Sequence, residues 1–195
     1  MQLIFYTVLT PEEYHAVDKY SLFPRPDSCP NPACKIPIPP IKHHFYSRSV
    51  DDIEFHERIS ICRFYCQYCK MTFSYLPSFC LPYFRYSLKL IFLALWCHVY
   101  QMATLFNIYV KARGLWLTRQ HRQFYSRRFA ANLTRVQMGL RTLIPNVDLP
   151  ESQDIRKRAQ KVLSIVLAEF PQIQTFSQRF FAQCGRSFMT PCKLV

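Results

Sequence analysis

Two pairs of closely spaced cysteines constrain this chain more than any other feature of its 195 residues. Four residues separate Cys29 from Cys34, two separate Cys66 from Cys69, and 31 lie between the pairs. Thiolates placed by two tight turns can surround one Zn²⁺ in a tetrahedron with bonds of about 2.3 Å. Soft, anionic sulfur binds this metal well at neutral pH. We therefore predict one structural Zn²⁺ held by Cys29, Cys34, Cys66 and Cys69.

Four protein ligands leave no position for an activated water, so this metal would stabilise the fold without catalysing a reaction. One ligand remains open to replacement by another donor nearby in the sequence: Cys62, His43, His44 or His56. We expect Cys62 to be a small core residue, because it precedes the turn that carries Cys66 and Cys69. The remaining cysteines lack a paired spacing and are predicted to be ordinary thiols: Cys80, Cys97, Cys184 and Cys192.

The cysteine number and the N-terminus indicate a reducing compartment. The chain has nine cysteines, an odd number, and residues 1–9 lack the basic region and the small-residue cleavage site of a signal peptide. In a reducing cytosol, clustered cysteines are more often metal ligands than disulfides. We therefore expect a cytoplasmic protein.

Positive charge is concentrated in the middle of the chain. The formal net charge is +13, and residues 58–145 hold 13 Lys and Arg but no Asp or Glu. Residues 1–57, in contrast, carry 8 acidic and 5 basic side chains. A stretch of 88 residues without a carboxylate cannot neutralise its own guanidinium groups. This pattern indicates a polyanionic partner, either nucleic acid or an anionic membrane surface.

Hydrophobic patterning predicts an α+β fold. Half of the residues are hydrophobic, which excludes the disordered and collagen-like classes. Seven prolines in residues 23–40 forbid a helix there. Residues 44–50 and 55–65 are predicted to form two strands joined by the acidic turn at residues 51–52. Helices are predicted at 87–113, stopping at Gly114, then from Thr118 or Ser126, then at 151–170, and finally in a short segment that closes near Gly185.

Two of these helices have a predicted buried stripe, since their apolar residues recur at intervals of three and four. The stripes consist of Phe129, Leu133, Val136, Leu140 and Leu143 in the first helix and of Ile155, Val162, Leu163, Val166 and Leu167 in the second. Residues 90–110 form an uncharged segment of 21 residues, about the length that spans a bilayer. His98, Gln101 and Asn107 interrupt it, so we expect a buried core helix rather than a membrane anchor.

Five segments follow, in order, the pattern of a known family: Cys29-Pro30, His44–Arg48, Ile59–Arg63, Cys66–Pro77 with its sequence TFSYLP at the end, and Leu81–Ser87 with the sequence LPYFRYS. Residues 28–90 thereby resemble the N-terminal zinc-ribbon domain of bacterial insertion-sequence transposases and the small transposon-associated zinc-ribbon proteins. The helical part to about residue 145 looks like the helix-turn-helix that follows this ribbon.

The resemblance implies an organisation into four parts. These are an N-terminal extension (1–25), a zinc ribbon (26–82), a mostly α-helical, helix-turn-helix-like DNA-binding region (83–145), and C-terminal helices with a tail (146–195). It also implies that Cys29, Cys34, Cys66 and Cys69 ligate Zn²⁺ and that the helical part contacts DNA at the ends of a mobile element. The expected location is then the bacterial cytoplasm, in association with the nucleoid, with a separate transposase or recombinase subunit as a further partner.

The chain lacks the separated carboxylates with which a DNA-cutting domain holds two metal ions. Outside the acidic N-terminal part, the candidates are confined to 22 residues: Asp148, Glu151, Asp154 and Glu169. They are better interpreted as helix-start charges and surface positions. We therefore expect no catalytic residues and no enzymatic activity.

Six arginines between residues 119 and 141 are the predicted DNA contacts, since guanidinium groups pair with phosphate and with guanine edges. They are Arg119, Arg122, Arg127, Arg128, Arg135 and Arg141, and Gln120, Gln123, Asn132 and Gln137 could serve bases as well. A helix bearing them would fit the major groove as a recognition helix. Two other functions remain open: a module that docks on a separate nuclease or polymerase, and a small membrane protein anchored by residues 90–110.

Overall fold

A four-stranded sheet and seven helices make up the part of the chain that the structure, a computed structural model, describes, namely residues 1–34 and 36–190. The strands are β1 (Gln2–Phe5), β2 (Ile41–Ser49), β3 (Arg58–Tyr65) and β4 (Thr72–Pro77), in the spatial order β1-β4-β3-β2. The helices are α1 (Pro11–Ala16), α2 (Leu88–Val99), α3 (Ala103–Ala112), α4 (Arg119–Ala131), α5 (Leu133–Leu143), α6 (Ile155–Glu169) and α7 (Ile173–Cys184). The predicted α+β class is confirmed.

The predicted hairpin is formed by β2 and β3, which pair in an antiparallel fashion. β3 is a central strand because β4 pairs with its other edge, and the middle of the strand is buried on both faces. Ile59 and Ile61 on one face and Cys62 and Phe64 on the other are at most 1% exposed. β4 was not predicted from the sequence, and neither was β1, which adds to β4 as a parallel strand.

The long helix predicted over residues 87–113 is wrong, because the chain breaks between α2 and α3. Gln101 adopts a left-handed conformation with φ 60°, and the Met102 N–H turns back to the Cys97 carbonyl at 2.8 Å. Tyr100 holds the break in place, since its ring stacks on Trp96 and its hydroxyl lies 2.8 Å from Ser164 Oγ in α6. Within the described ranges, no helix is long and apolar enough to cross a membrane.

The second helical stretch begins after Thr118, one of the two predicted starts, and not at Ser126; it also divides in two. Asn132 ends α4 and precedes α5, and its side-chain amide donates to the carbonyls of Arg128 and Thr190 at 2.9 Å each. The predicted apolar stripe holds across this break, because Phe129, Leu133 and Val136 are at most 2% exposed. α7 closes at Gly185, which adopts the left-handed φ of 65° typical of a helix C-terminus.

The stripe predicted for the third helix is wrong at its two ends. Ile155 is 55% and Leu167 40% exposed, although Val162, Leu163 and Val166 are buried as expected. The buried face instead continues N-terminally to Ala159, which is 4% exposed. The stripe is therefore narrower than predicted, and the outer apolar side chains lie at its edges.

Residues 81–87, here called the junction segment, connect the sheet to the helices. Arg48 in β2 donates to the carbonyls of Leu81, at 2.7 Å, and Phe84. Asp51 is 6% exposed, and its backbone bonds at 3.2 Å to Arg85 and at 2.8 Å to Ser87. The Ser87 hydroxyl then accepts the Leu90 N–H at 3.1 Å and so caps α2.

We expect Arg48→Met to lower the free energy of unfolding by about 2–4 kcal/mol, because it leaves two carbonyls of the junction segment without their charged donor. Urea unfolding monitored by circular dichroism measures this change. Arg58→Met is the matched control, since Arg58 is exposed and its partner is the adjacent Ser47. The control should shift stability by no more than about 0.5 kcal/mol, and an equal effect of both variants would contradict the prediction.

Candidate metal centre and basic helix face

The four predicted ligands lie together at one end of the sheet. Cys29 and Cys34 lie on the loop between α1 and β2, and Cys66 and Cys69 on the turn between β3 and β4. All four Sγ atoms are within 4.8 Å of one another. The Sγ atoms of Cys29 and Cys69 are 3.6 Å apart, and those of Cys34 and Cys66 are 3.8 Å apart. A tetrahedron with metal–sulfur bonds of 2.3 Å requires sulfur atoms about 3.8 Å apart, so the four cysteines can hold one metal ion.

Each cysteine pair is shaped by a local turn. In the second pair, the Cys66 N–H donates to the Met71 carbonyl at 2.9 Å, and Lys70 adopts a left-handed φ of 59° that reverses the chain. In the first pair, Asn31 accepts the Cys34 N–H on its carbonyl at 2.8 Å and the Ala33 N–H on Oδ1 at 3.1 Å. This turn at Asn31 explains how a spacing of four residues still brings both thiols to one point.

Two of the thiols differ in acidity for separate physical reasons. A hydrogen bond from the Met71 backbone lowers the pKa of Cys69 to about 6. Burial raises the pKa of Cys29 to about 12. Because a metal binds thiolates, Cys69 is the ligand that is already ionised at neutral pH, and Cys29 must lose its proton when the metal binds.

The alternative donors lie elsewhere. In the part of the chain that the structure describes, the group of ligand atoms close enough to hold a metal consists of the four predicted cysteines. Cys62 is a fully buried core residue of β3, as expected, and burial raises its pKa to about 11. His56 pairs with Asp51 at 3.6 Å, and His43 packs on His44.

Three of the cysteines predicted to be ordinary thiols, Cys80, Cys97 and Cys184, lie outside the group that could hold a metal ion among the described residues. Cys80 and Cys97 are buried and Cys184 is half-buried. The last of them, Cys192, lies outside the described residues.

The six predicted DNA-contacting arginines fall into two groups. Arg119, Arg127 and Arg141 are exposed, and no ion pair in the described part of the chain involves them. The guanidinium groups of the others are occupied by backbone carbonyls, in contacts from Arg122 to Ala103 at 3.2 Å, from Arg128 to Met189 at 3.4 Å, and from Arg135 to Ser187 at 3.0 Å.

Arg122 is the clearest case of an arginine whose guanidinium is occupied by contacts within the protein. It is only 4% exposed, and its guanidinium lies 5.0 Å from the centre of the Phe106 ring in α3. Its position was detectable from the sequence, because it precedes Tyr125 and Phe129 by three and seven residues on the buried stripe of α4. Asn132 and Gln137 are likewise buried and bonded within the protein.

One side of α4 remains free and basic. Arg119, Gln123 and Arg127 recur every four residues, so they form one stripe, here called the α4 basic face. Gln120 is exposed beside this stripe. The arrangement offers two guanidinium groups and amide side chains to a ligand that approaches the helix from the solvent.

No family model, curated protein or solved structure matches the chain. The fold and the cysteine group therefore define an α+β protein with four thiols placed to hold one metal ion.

We expect the purified protein to contain about one zinc ion per chain. Each of the single substitutions Cys29→Ser, Cys34→Ser, Cys66→Ser and Cys69→Ser should reduce this value well below one, because three thiolates bind zinc much less tightly than four. Elemental analysis after gel filtration measures the ratio. Cys184→Ala is the control, since Cys184 lies outside the cluster, and it should keep the full zinc content. Retention of zinc by all four serine variants would contradict the assignment.

As the pH is lowered, zinc affinity should fall more steeply below about pH 6 than above it. The pKa of Cys69 is lowered to about 6, so below that pH binding must displace one additional proton. A plot of log K against pH, measured by competition with a zinc-binding dye, should therefore steepen by about one unit of slope below pH 6. Cys69→Ser should remove this change of slope, and a constant slope in the wild-type protein would contradict the prediction.

Proposed function

We propose that this chain is a zinc-dependent DNA-binding protein of a mobile genetic element, transposase-like in its role of recognising element ends. The observation that carries the proposal is the α4 basic face, which presents Arg119, Gln123 and Arg127 from a region of 88 residues without a carboxylate. In this proposal, one Zn²⁺ on the four cysteines stabilises the sheet and takes no part in chemistry.

The geometry of α4 supports a role as recognition helix. From Arg119 to Arg127 the helix advances about 12 Å, a length comparable with the width of the major groove of B-DNA. Guanidinium groups at both ends can pair with phosphates or guanine edges, while Gln123 between them can pair with adenine. α3 precedes α4 through a connection with the left-handed Gly114, and Arg122 donates to the Ala103 carbonyl of α3. The helix on which both α3 and α4 pack is α2.

The metal and the DNA surface are connected through the fold. The four cysteines hold the loop before β2 to the β3–β4 turn, β2 holds the junction segment through Arg48, and that segment caps α2. α4 packs directly on α2. Loss of the metal would therefore loosen the sheet that positions α2 and α4, so DNA binding is expected to depend on zinc.

A role without catalysis is part of the proposal. The carboxylates considered for a metal site serve other purposes, since Asp154 caps α6 and Asp148 pairs with Lys161 at 3.8 Å. Within the described ranges, the residues grouped closely enough to hold a metal are the four cysteines. Cleavage of DNA would then require a separate transposase or recombinase subunit, with both proteins acting in the bacterial cytoplasm at the nucleoid.

One observation favours a second candidate, a protein-interaction module. α3 and the residue before it expose Met102 (37%), Leu105 (60%) and Ile108 (62%) along one side. Apolar side chains at this spacing are typical of a helix face that docks on another protein. This function would not need the α4 basic face.

Binding to duplex DNA containing the element end should be lost with increasing salt, and Arg119→Ala/Arg127→Ala should weaken it. Each phosphate contact contributes about 0.9 to the slope of log K against log salt, so the double variant should reduce that slope by about 2. Fluorescence anisotropy over a series of salt concentrations measures both quantities.

Lys157→Ala/Lys161→Ala is the matched control, because it removes two exposed charges from α6 instead of α4. It should leave affinity and slope nearly unchanged, whereas a zinc chelator should abolish binding. Equal losses in both double variants would indicate only a general charge effect. Absence of binding at low salt would reject DNA binding and favour the interaction module.

A further inference from the structure

One half of a sheet face is left uncovered beside the cysteine cluster. His44 pairs with Arg63, Arg63 with Ser74, and Ser74 with Gln2, so these four residues form a row on one face across all four strands. Tyr46 and Tyr65 lie on the same face, and because β2 and β3 are antiparallel they stand on opposite sides of the row. At the other end of this face, Arg48 engages the junction segment.

The exposed and half-buried residues form a compact group of rings around one guanidinium, here called the open sheet face: His43, His44, Tyr46, Arg63 and Tyr65. The Arg63 guanidinium lies 5.2 Å from the centre of the Tyr46 ring. The His43 ring lies 5.6 Å from that of Tyr65 and 4.7 Å from that of His44. His43 stands at an irregularity of the β2–β3 pairing, which turns its ring toward Tyr65. His44 is exposed and the tyrosines and Arg63 are partly exposed.

The positive charge of this face comes from Arg63. Arg63 forms no ion pair in the described part of the chain. The pKa of His44 is lowered by desolvation and by the positive charges of Arg63 and His43, so His44 presents an uncharged ring at neutral pH. A protein surface of this composition attracts an anionic partner with flat, stackable groups.

At β1 the row reaches a cleft of mainly apolar lining. Gln2, at the end of the row, lines a cleft of about 560 Å³ together with Tyr83 and Arg186. Tyr83 is 81% exposed, and the Gln2 Oε1 atom is buried without a hydrogen-bond partner. Ser74 is only 4% exposed and separates this cleft from Arg63, so the exposed part of the row ends at Arg63.

We propose that the open sheet face binds single-stranded DNA, with bases stacked on Tyr46 and Tyr65 and the phosphate backbone near Arg63. Rings on an exposed sheet can stack only on bases that are unpaired, so this surface selects a strand state that the α4 basic face does not. The inference rests on the proposed function only in taking DNA as the ligand. The residues involved, and the form of the nucleic acid, are different.

The test compares single-stranded and duplex binding by the zinc-loaded full chain. Fluorescence anisotropy with a labelled 12-nucleotide oligo-dT should show binding that Tyr46→Leu weakens about 5- to 150-fold, the range expected for loss of one stacked base. Tyr46→Phe should restore it, because the ring is kept. Duplex affinity should change less than about 2-fold in both variants.

Tyr20→Leu is the matched control, since Tyr20 is 64% exposed and packs on Phe45, which points to the opposite face of the sheet. It should leave oligo-dT binding unchanged. If Tyr46→Leu loses zinc or helical signal, Arg63→Gln replaces it as the deciding variant, with a loss of at least 5-fold expected for oligo-dT.

Two outcomes would overturn the inference directly: no binding of oligo-dT by the wild-type chain, or unchanged oligo-dT binding in the deciding variant. A third concerns Arg119→Ala/Arg127→Ala. If this double variant lost affinity for oligo-dT by the same factor as for duplex DNA, the two surfaces would not be separate and the inference would be wrong. The failure of the proposed function is distinguishable. In that case the wild-type chain would bind oligo-dT through Tyr46 and would not bind duplex.

Discussion

Arg48 joins the sheet to the helices, because its guanidinium donates to two carbonyls of the segment that leads into α2. The backbone of Asp51 adds further bonds to the same segment, and Ser87 at its end caps α2. α2 is in turn the helix against which α3, α4, α6 and α7 pack. The end of β2 is therefore one connection between the sheet and the helical core, the packing of α7 on β1 is another, and the cysteine cluster lies at the opposite end of the sheet.

A scarcity of carboxylates governs the electrostatics of the helical region. Arginines that pack inward find no acid there and donate to backbone carbonyls instead, as Arg122, Arg128 and Arg135 do. The hydrogen bonding of the buried guanidinium groups is incomplete, since the Nε atoms of Arg122, Arg135 and Arg158 are buried without a hydrogen-bond partner. The charge that faces the solvent is consequently smaller than the sequence suggests and is confined to fewer places, of which the α4 basic face is one.

The two proposed DNA surfaces differ in the chemistry that they offer. The α4 basic face is a helix with guanidinium and amide groups, which suits the edges and phosphates of a duplex. The open sheet face combines rings with Arg63, which suits unpaired bases. An element end that is partly opened would present both forms, so the two surfaces could act on one DNA molecule.

The sequence by itself determined the local features of this protein. Spacing identified the four cysteines, alternation identified the β2–β3 hairpin, and apolar periodicity identified the stripe from Phe129 to Leu140. These signals are local because a turn, a strand or a helix face is defined by residues a few positions apart. The parallel strand β1 gave no such signal, since its pairing with β4 joins residues more than 70 positions apart.

Only the tertiary structure decided which polar residues are free. Whether an arginine faces the solvent or donates to a backbone carbonyl depends on what the neighbouring helix brings to it, as Arg127 and Arg122 show within one helix. The same holds for the break at Gln101, which a contact between Tyr100 and Ser164 accompanies. The open sheet face also exists only in the fold, because strand pairing places His44 beside Arg63. Contacts of this kind join distant residues, and no local pattern encodes them.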